Sequence, residues 1–227
     1  MHRLKKEAAF LKSLVAMNLA SSMEYRASFL TQVVGMMVNN GIYFVFWLIF
    51  FDQFGAIRGY EMKDIYLLFA IATVGYGIAH SLAGNVGQHL AYLIAQGRID
   101  YYLVLPRPLL PHVIFSRMDV PAIGDLVFGI MAYLFTGRFH PVDIALFLLC
   151  ALLGGSIYIA FSVITGSLSF YLGNAQFLST QLNGAMLTFV LYPHTLFSSG
   201  VRLALLTLLP AGFIASVPVE IMNTRNG

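Results

Sequence analysis

The side chains that could move protons or bind a polar ligand lie within or beside apolar stretches of this sequence. His80, Asp119 and Asp125 occupy such positions, and ionisable residues there often form proton relays or ligand sites in membranes. Asp119 and Asp125 are separated by about 240° around a helix, so they cannot work as a carboxylate pair on one face. We expect Asp125 either to find a polar partner inside the helix bundle or to lie near the membrane surface.

Two adjacent amides, Asn39 and Asn40, interrupt the apolar run from residue 27 to 51. Amides at such positions can line a substrate path, although hydrogen bonding between helices is their commoner use. His80 also has two interpretations, as a proton carrier or as a hydrogen-bonded packing residue. We name Asn39, Asn40, His80 and Asp125 as candidate residues of a translocation path.

Motifs for catalysis are absent from the sequence. It contains no G-x-x-x-x-G-K-[ST] phosphate loop, no H-E-x-x-H and no G-x-S-x-G. Its six histidines lack the spacing of zinc ligands. We therefore predict that the chain is not an enzyme, with no catalytic residue, no metal site and no cofactor bound by this chain.

The composition is that of a membrane protein. Hydrophobic residues make up 59% of the chain and charged residues only 10%, compared with about 25% charged residues in a soluble domain. A transmembrane helix needs about 20 apolar residues. The 227 residues therefore predict an all-α, polytopic helical membrane protein with five or six spans, forming a single transmembrane domain over residues 1–227.

Basic residues gather in two places, residues 3–26 and residues 87–117. Because loops rich in lysine and arginine stay in the cytoplasm, both segments are predicted to be cytoplasmic. Apolar residues in 4–19 recur at helical spacing beside lysines, which favours a helix lying in the membrane interface. No basic run alternates with exposed aromatic residues, so we expect the lipid bilayer as a partner and no nucleic acid.

Residues 87–117 form an unusual segment between two apolar runs. Pro106, Pro108 and Pro111 prevent one continuous helix, which predicts a folded cytoplasmic loop. A loop of this length is uncommon unless it has a function. Its composition is compatible both with a functional loop and with an ordinary linker at the membrane surface.

The end of the sequence is interrupted by prolines. The apolar stretch 201–209 is too short to cross a membrane, and Pro210 and Pro218 follow it. This pattern predicts a re-entrant hairpin over residues 196–218, shielded from lipid by protein. We expect a sixth span to be missing after Pro218, unless residues 201–217 take the place of that last helix.

Several short motifs occur in a recognisable order. They are Tyr25-Arg26 before Phe29-Leu30, Phe46-Trp47, Gly97-Arg98-Ile99-Asp100 followed by Leu103 and Pro106, Asp125 with Gly129, and the prolines 193, 210 and 218. Together they resemble the permease subunits of ABC type-2 exporters of the daunorubicin-resistance-like kind, over roughly residues 4 to 218.

This resemblance implies a transport complex of several subunits. Two permease subunits, as a homodimer or a heterodimer, would join two separate ABC ATPase subunits that bind ATP and Mg. The permease would have six spans, an interfacial N-terminal helix, a coupling helix after the second span and a re-entrant external hairpin. It would lie in the plasma (inner) membrane of a bacterium and export an amphiphilic substrate.

The expected ATPase contact is the coupling segment, residues 97–106. We expect Arg98 and Asp100 to dock on the ATPase, and Tyr101 and Tyr102 to pack into a groove on it. An alternative is a self-contained turn that contacts only solvent and lipid headgroups. The full set of predicted coupling residues is Gly97, Arg98, Ile99, Asp100, Tyr101, Tyr102 and Pro106.

Two other functions stay open at this point. One is a proton-coupled secondary transporter that uses His80, Asp119 or Asp125, although the chain lacks the two matched halves typical of inverted repeats. The other is a membrane scaffold that transports nothing.

Overall fold

The computed structural model describes residues 2–57 and 59–226, and within these ranges the chain forms helices and turns without a β-strand. The predicted all-α class is therefore confirmed. The α-helices in chain order are α1 (His2–Ser22), α2 (Arg26–Phe54), α3 (Met62–Ala83), α4 (Val86–Ala95), α5 (Ile99–Leu103), α6 (Leu109–Phe115), α7 (Ile123–Leu134), α8 (Pro141–Ser167), α9 (Ser169–Leu172), α10 (Gln176–Val190), α11 (Ser199–Thr207), α12 (Ala211–Ile214) and α13 (Ser216–Asn226).

In the described part of the chain, 3 helical stretches are long and apolar enough to cross a membrane. They are Arg26–Phe54, Met62–Ala95 and Pro141–Leu172, which correspond to α2, to α3 with α4, and to α8 with α9. Shorter apolar helices accompany them, α7 among them. A chain with several such helices is a polytopic membrane protein, as the composition predicts.

Helix α3 is the centre of the bundle, with α7 on one side and α8 on the other. Glycines bring the backbones together: a Cβ atom on Gly155 would lie 2.7 Å from the carbonyl oxygen of Gly75. Gly129 of α7 packs in the same way against Thr73 and Val74 of α3. Small residues at these crossings are the usual means by which membrane helices approach closely.

Helix α2 lies at the edge of this bundle. Only Asn40, Trp47 and Phe51 are buried among its residues, and most of its apolar side chains are exposed. It packs mainly against α7, where Gly124 is in contact with the backbone of Val33. The exposed surface of α2 is available to lipid or to another protein subunit.

The predicted loop 87–117 begins as a helix. Gly84 and Asn85 bend the chain after α3, with Asn85 at a φ of 52°, and α4 then packs against α8 and α10. Gly87 allows this approach, because a Cβ atom there would lie 2.6 Å from the carbonyl oxygen of Ser162. The segment that leaves the bundle therefore starts at Gln96 and contains the short helices α5 and α6.

Helices α11, α12 and α13 form a hairpin against α8. A Cβ atom on Gly154 of α8 would lie 3.1 Å from the carbonyl oxygen of Ile214, at the turn. Gly154 is about 20 Å along α8 from its first residue. Helix α13 then returns to that first end, where Arg138 donates a hydrogen bond to the carbonyl oxygen of Met222 at 3.1 Å. Pro218 lies in the first turn of α13, where proline is tolerated.

Candidate functional site

A polar cleft opens between α2, α3, α7 and α10, with a volume of about 120 Å³. Met36, Leu187 and Leu191 contribute apolar surface to it. We call it the polar cleft because of its other lining residues, which include Asn39, Asn40, Tyr43, Tyr76, Asp125 and Tyr192.

Asp125 has a polar partner inside the bundle. Asn40 donates a hydrogen bond from Nδ2 to Oδ1 of Asp125 over 2.5 Å, and it also donates to the carbonyl oxygen of Met36 at 3.1 Å. The Oδ2 atom of Asp125 is buried, and no described hydrogen-bond donor reaches it. The structure therefore gives Asp125 the polar partner inside the bundle that the first of the two interpretations requires.

His80 lies outside the polar cleft, behind Tyr76. Its ring stacks on Tyr76 with centroids 4.0 Å apart, and its Nδ1 atom lies 3.6 Å from Oδ2 of Asp119. The candidate path residues therefore separate into two places. Asn39, Asn40 and Asp125 line one cleft, while His80 pairs with the carboxylate that precedes α7.

Asp119 is placed differently from what a helix-capping role would require. A 3₁₀ turn, Val120–Ala122, precedes α7, and Ala122 stands at the N-cap of that helix without a side-chain cap. The backbone N–H of Asp119 instead donates to the carbonyl oxygen of His80 at 3.0 Å. Asp119 thus ties the start of α7 to the end of α3.

The coupling segment leaves the bundle at Gly97, whose φ of 64° is one that glycine adopts readily. Ile99 is buried and packs with α4 and α6, and the ring of Tyr102 lies 5.0 Å from that of His112. Asp100 is exposed on the other side of α5, and the guanidinium of Arg98 lies 5.5 Å from the Tyr92 ring centre. Ile99 and Tyr102 therefore hold α5 in place.

Three large apolar side chains of the coupling segment are exposed. The side chains of Tyr101, Leu103 and Val104 are 66%, 64% and 80% exposed. Leu103 and Val104 are absent from the predicted set of coupling residues. Their position just before Pro106 is the one sequence signal for them, since a proline there ends the helix before it.

Helix α1 packs against the residues that follow the coupling segment, in and before α6. The carboxylate of Glu7 lies 3.3 Å from the guanidinium of Arg107, which also stacks over the ring of Phe10 at 4.3 Å. The Phe10 ring meets His112 edge-on at 5.1 Å. Burial lowers the pKa of the His112 side chain, and the neighbouring Arg107 lowers it further. A neutral His112 suits this aromatic cluster.

The contact between Glu7 and Arg107 is missing from the sequence-based prediction. Glu7 is the one carboxylate in α1, and that isolation is the signal that could have indicated a specific partner.

The family model for ABC-2 family transporter protein matches residues 37–226 of the chain. No curated protein and no solved structure matches it.

Proposed function

Because the chain belongs to the ABC-2 family of transporter proteins, we propose that it is the permease subunit of an ATP-driven exporter. A separate ABC ATPase, which binds ATP and Mg, would dock on the coupling segment. A second permease subunit would complete the translocation path, and the assembly would lie in the plasma membrane of a bacterium. The chain is the membrane subunit of a transporter and not itself the catalyst.

The observation that carries this proposal is the exposed apolar surface of Tyr101, Leu103 and Val104 beside Asp100. Exposed apolar residues grouped with charges mark a protein or membrane interaction site, and the charge of Asp100 favours a protein partner over lipid. Tyrosine is enriched in such interfaces because its ring is large and rigid. Ile99 and Tyr102 pack against α4 and α6 and hold this surface in place. A movement of the bound ATPase could therefore be passed to the permease.

The same segment is connected to both neighbouring helices of the bundle. The coupling segment continues from α4, and residues 107–117 return the chain to the bundle. There the carbonyl oxygen of Arg117 accepts a hydrogen bond from the N–H of Gly84 at 3.0 Å. The contact between Asp119 and His80 adds a second link. Movement of the coupling segment would therefore shift α3 and α7 together, and α7 carries Asp125 of the polar cleft. ATP binding drives transport only if the ATPase contacts the two permease states differently.

We further propose that the polar cleft is part of the path of an amphiphilic substrate. Its amide and carboxylate groups suit a polar head, while Met36, Leu187 and Leu191 suit an apolar body. The hairpin of α11 to α13 would be re-entrant from the outer side, and α1 would lie in the inner interface. Asn39 and Tyr43 are exposed on α2, which favours a water-filled path or a protein neighbour for that face over lipid.

A direct test is co-purification with the ATPase encoded beside this chain. Val104→Asp should abolish binding and the permease-dependent stimulation of ATP hydrolysis, because it places a charge within the apolar contact. Phe139→Asp is the matched control, since Phe139 is 57% exposed in the turn before α8, far from the coupling segment. Normal ATPase binding by Val104→Asp would overturn the proposed docking surface.

One observation supports a second candidate function. Tyr76 links the polar cleft to the pair of His80 and Asp119, and such chains can carry protons. A proton-coupled transporter would work without the ATPase and stop when the proton gradient is collapsed. An ATP-driven exporter would show the opposite behaviour.

A further inference from the structure

The polar cleft contains a carboxylate oxygen without a partner. Asp125 is 3% exposed, and Asn40 satisfies only its Oδ1 atom. Buried polar groups are normally hydrogen-bonded, so an unsatisfied one requires an explanation. A carboxylate can accept at both of its oxygens, and Oδ2 of Asp125 has acceptor capacity that no described donor uses.

No positive side chain of the described residues fills this role. The residues that line the polar cleft include no lysine, arginine or histidine. The basic residue of this region, His80, is paired with Asp119 at 3.6 Å and not directed into the cleft. A buried charge without a counter-ion is unfavourable, so a positively charged ligand would be favoured here over a neutral one.

Aromatic rings complete the surroundings of the carboxylate. Tyr43 of α2, Tyr76 of α3 and Tyr192, which follows α10, all line the polar cleft. Tyrosine faces attract ammonium groups, and aromatic cages are a known means of binding quaternary ammonium ions. The three tyrosines come from different parts of the bundle and line the same cleft as Asp125.

We propose that the polar cleft binds the positively charged head group of the exported amphiphile, with Asp125 as its counter-ion and the tyrosines as its cage. This inference rests on the proposed function and adds a substrate class to it, namely amphiphilic ammonium compounds. Neutral and anionic amphiphiles of the same size would be bound more weakly. The apolar residues Met36, Leu187 and Leu191 would contact the hydrocarbon part.

The chain has its own reporter of this site. Trp47 is the single tryptophan, it is buried, and its ring lies 5.6 Å from that of Tyr192. A ligand in contact with Tyr192 is expected to change the emission of Trp47. Binding can therefore be followed without a label, in the full chain reconstituted in lipid nanodiscs.

The experiment compares two isosteric probes, phenyltrimethylammonium and neutral tert-butylbenzene, on the wild-type chain and on Asp125→Asn. We expect the cation to bind the wild type about tenfold more tightly than the variant, since the variant keeps the hydrogen bond from Asn40 but loses the charge. The neutral probe should bind both proteins equally. Asp52→Asn, an exposed carboxylate at the end of α2, should behave like the wild type.

A second pair of variants tests the cage. Tyr43→Phe should keep the affinity for the cation and Tyr43→Leu should reduce it several-fold, because only the first retains an aromatic face. Equal binding of phenyltrimethylammonium by the wild type and Asp125→Asn would overturn the proposed site. Equal binding by Tyr43→Phe and Tyr43→Leu would remove Tyr43 from the cage.

The ligand-binding experiment and the test of the proposed function can fail separately. Co-purification with the ATPase, together with stimulated ATP hydrolysis, tests the permease assignment without any ligand. A chain that passes that test but does not discriminate the cation from its neutral isostere is a permease for another substrate class. A chain that binds the cation at Asp125 but does not co-purify with the ATPase has the proposed binding site and is not the permease of an ATP-driven exporter.

Discussion

Asn40 of α2 donates a hydrogen bond from Nδ2 to Oδ1 of Asp125 in α7, over 2.5 Å. This bond joins an edge helix to the central bundle. Helix α2 has few buried residues, and Asn40 is one of them, so this bond adds a specific polar contact to the packing of α2 against α7. The second oxygen of Asp125 has no described donor, and Asp125 lines the polar cleft, so the packing of α2 and the proposed ligand site share this residue.

Replacing Asn40 by leucine should destabilise the fold by about 0.6 to 2 kcal/mol, the range found for polar contacts between membrane helices. The loss arises because Asp125 would keep no hydrogen-bond donor. Thermal unfolding in detergent measures it. The adjacent Asn39→Leu is the control, since Asn39 is exposed and should change the melting temperature little. Equal effects of the two variants would mean that the bond contributes nothing.

Breaking the pair of Glu7 and Arg107 should weaken the stimulation of ATP hydrolysis by the permease while leaving the fold intact. The pair is partly exposed, so its loss should change stability by no more than about 1 kcal/mol. We expect Arg107→Glu to bind the ATPase normally but to stimulate ATP hydrolysis less. The double variant Glu7→Arg/Arg107→Glu should recover part of the stimulation. Failure of the swap to recover any would argue that the pair plays no part in coupling.

Acid should weaken the contact between α13 and the loop after α10 through His194. Its Nε2 atom lies 3.0 Å from the guanidinium of Arg202 and 3.6 Å from the carboxylate of Glu220, which also accepts a hydrogen bond from Tyr60. Arginine only donates, so Nε2 must accept, and His194 must be neutral there. Burial lowers the pKa of His194 below 6.5, with Glu220 opposing the decrease and Arg202 adding to it.

The sign of the pH effect follows from this lowered pKa. The folded protein binds fewer protons than the unfolded chain near the ordinary pKa of histidine, so the contribution of His194 is present above that pH and lost as pH falls. Melting temperatures at pH 7.5 and pH 5.0 (values about one unit or more either side of 6.5) should differ more for the wild type than for His194→Gln. An identical pH dependence of the two proteins would contradict this.

The hairpin of α11 to α13 predicts that both of its ends lie on the outer side of the membrane. Thr224 is exposed in α13, and a single cysteine there, in a Cys150→Ala background, should react with a membrane-impermeant maleimide in intact cells. A cysteine at Tyr171, which is 87% exposed at the other end of α8 and α9, should react only after permeabilisation. Labelling of Thr224→Cys only in permeabilised cells would replace the hairpin by a full sixth span.

The class of the protein was determined by the sequence alone. Preference for lipid depends mainly on how many apolar residues follow one another, so 59% hydrophobic residues and the long apolar runs suffice to predict a polytopic helical protein. A proline interrupts a helix through its own backbone chemistry. The prediction that Pro106 and Pro210 interrupt helices is confirmed. The order of short motifs was also sufficient to indicate the transporter family.

The partners of the polar residues were decided only by the tertiary structure. Asn40 and Asp125 lie 85 residues apart in the chain, and nothing near Asp125 in sequence shows that an amide of α2 reaches it. The contact of Arg107 with Glu7, and that of Asn223 with Asp64 at 2.7 Å, join equally distant segments. Gly124 lets α7 approach α2, which brings Asp125 to Asn40, and the distances in all three pairs depend on the packing of the whole bundle.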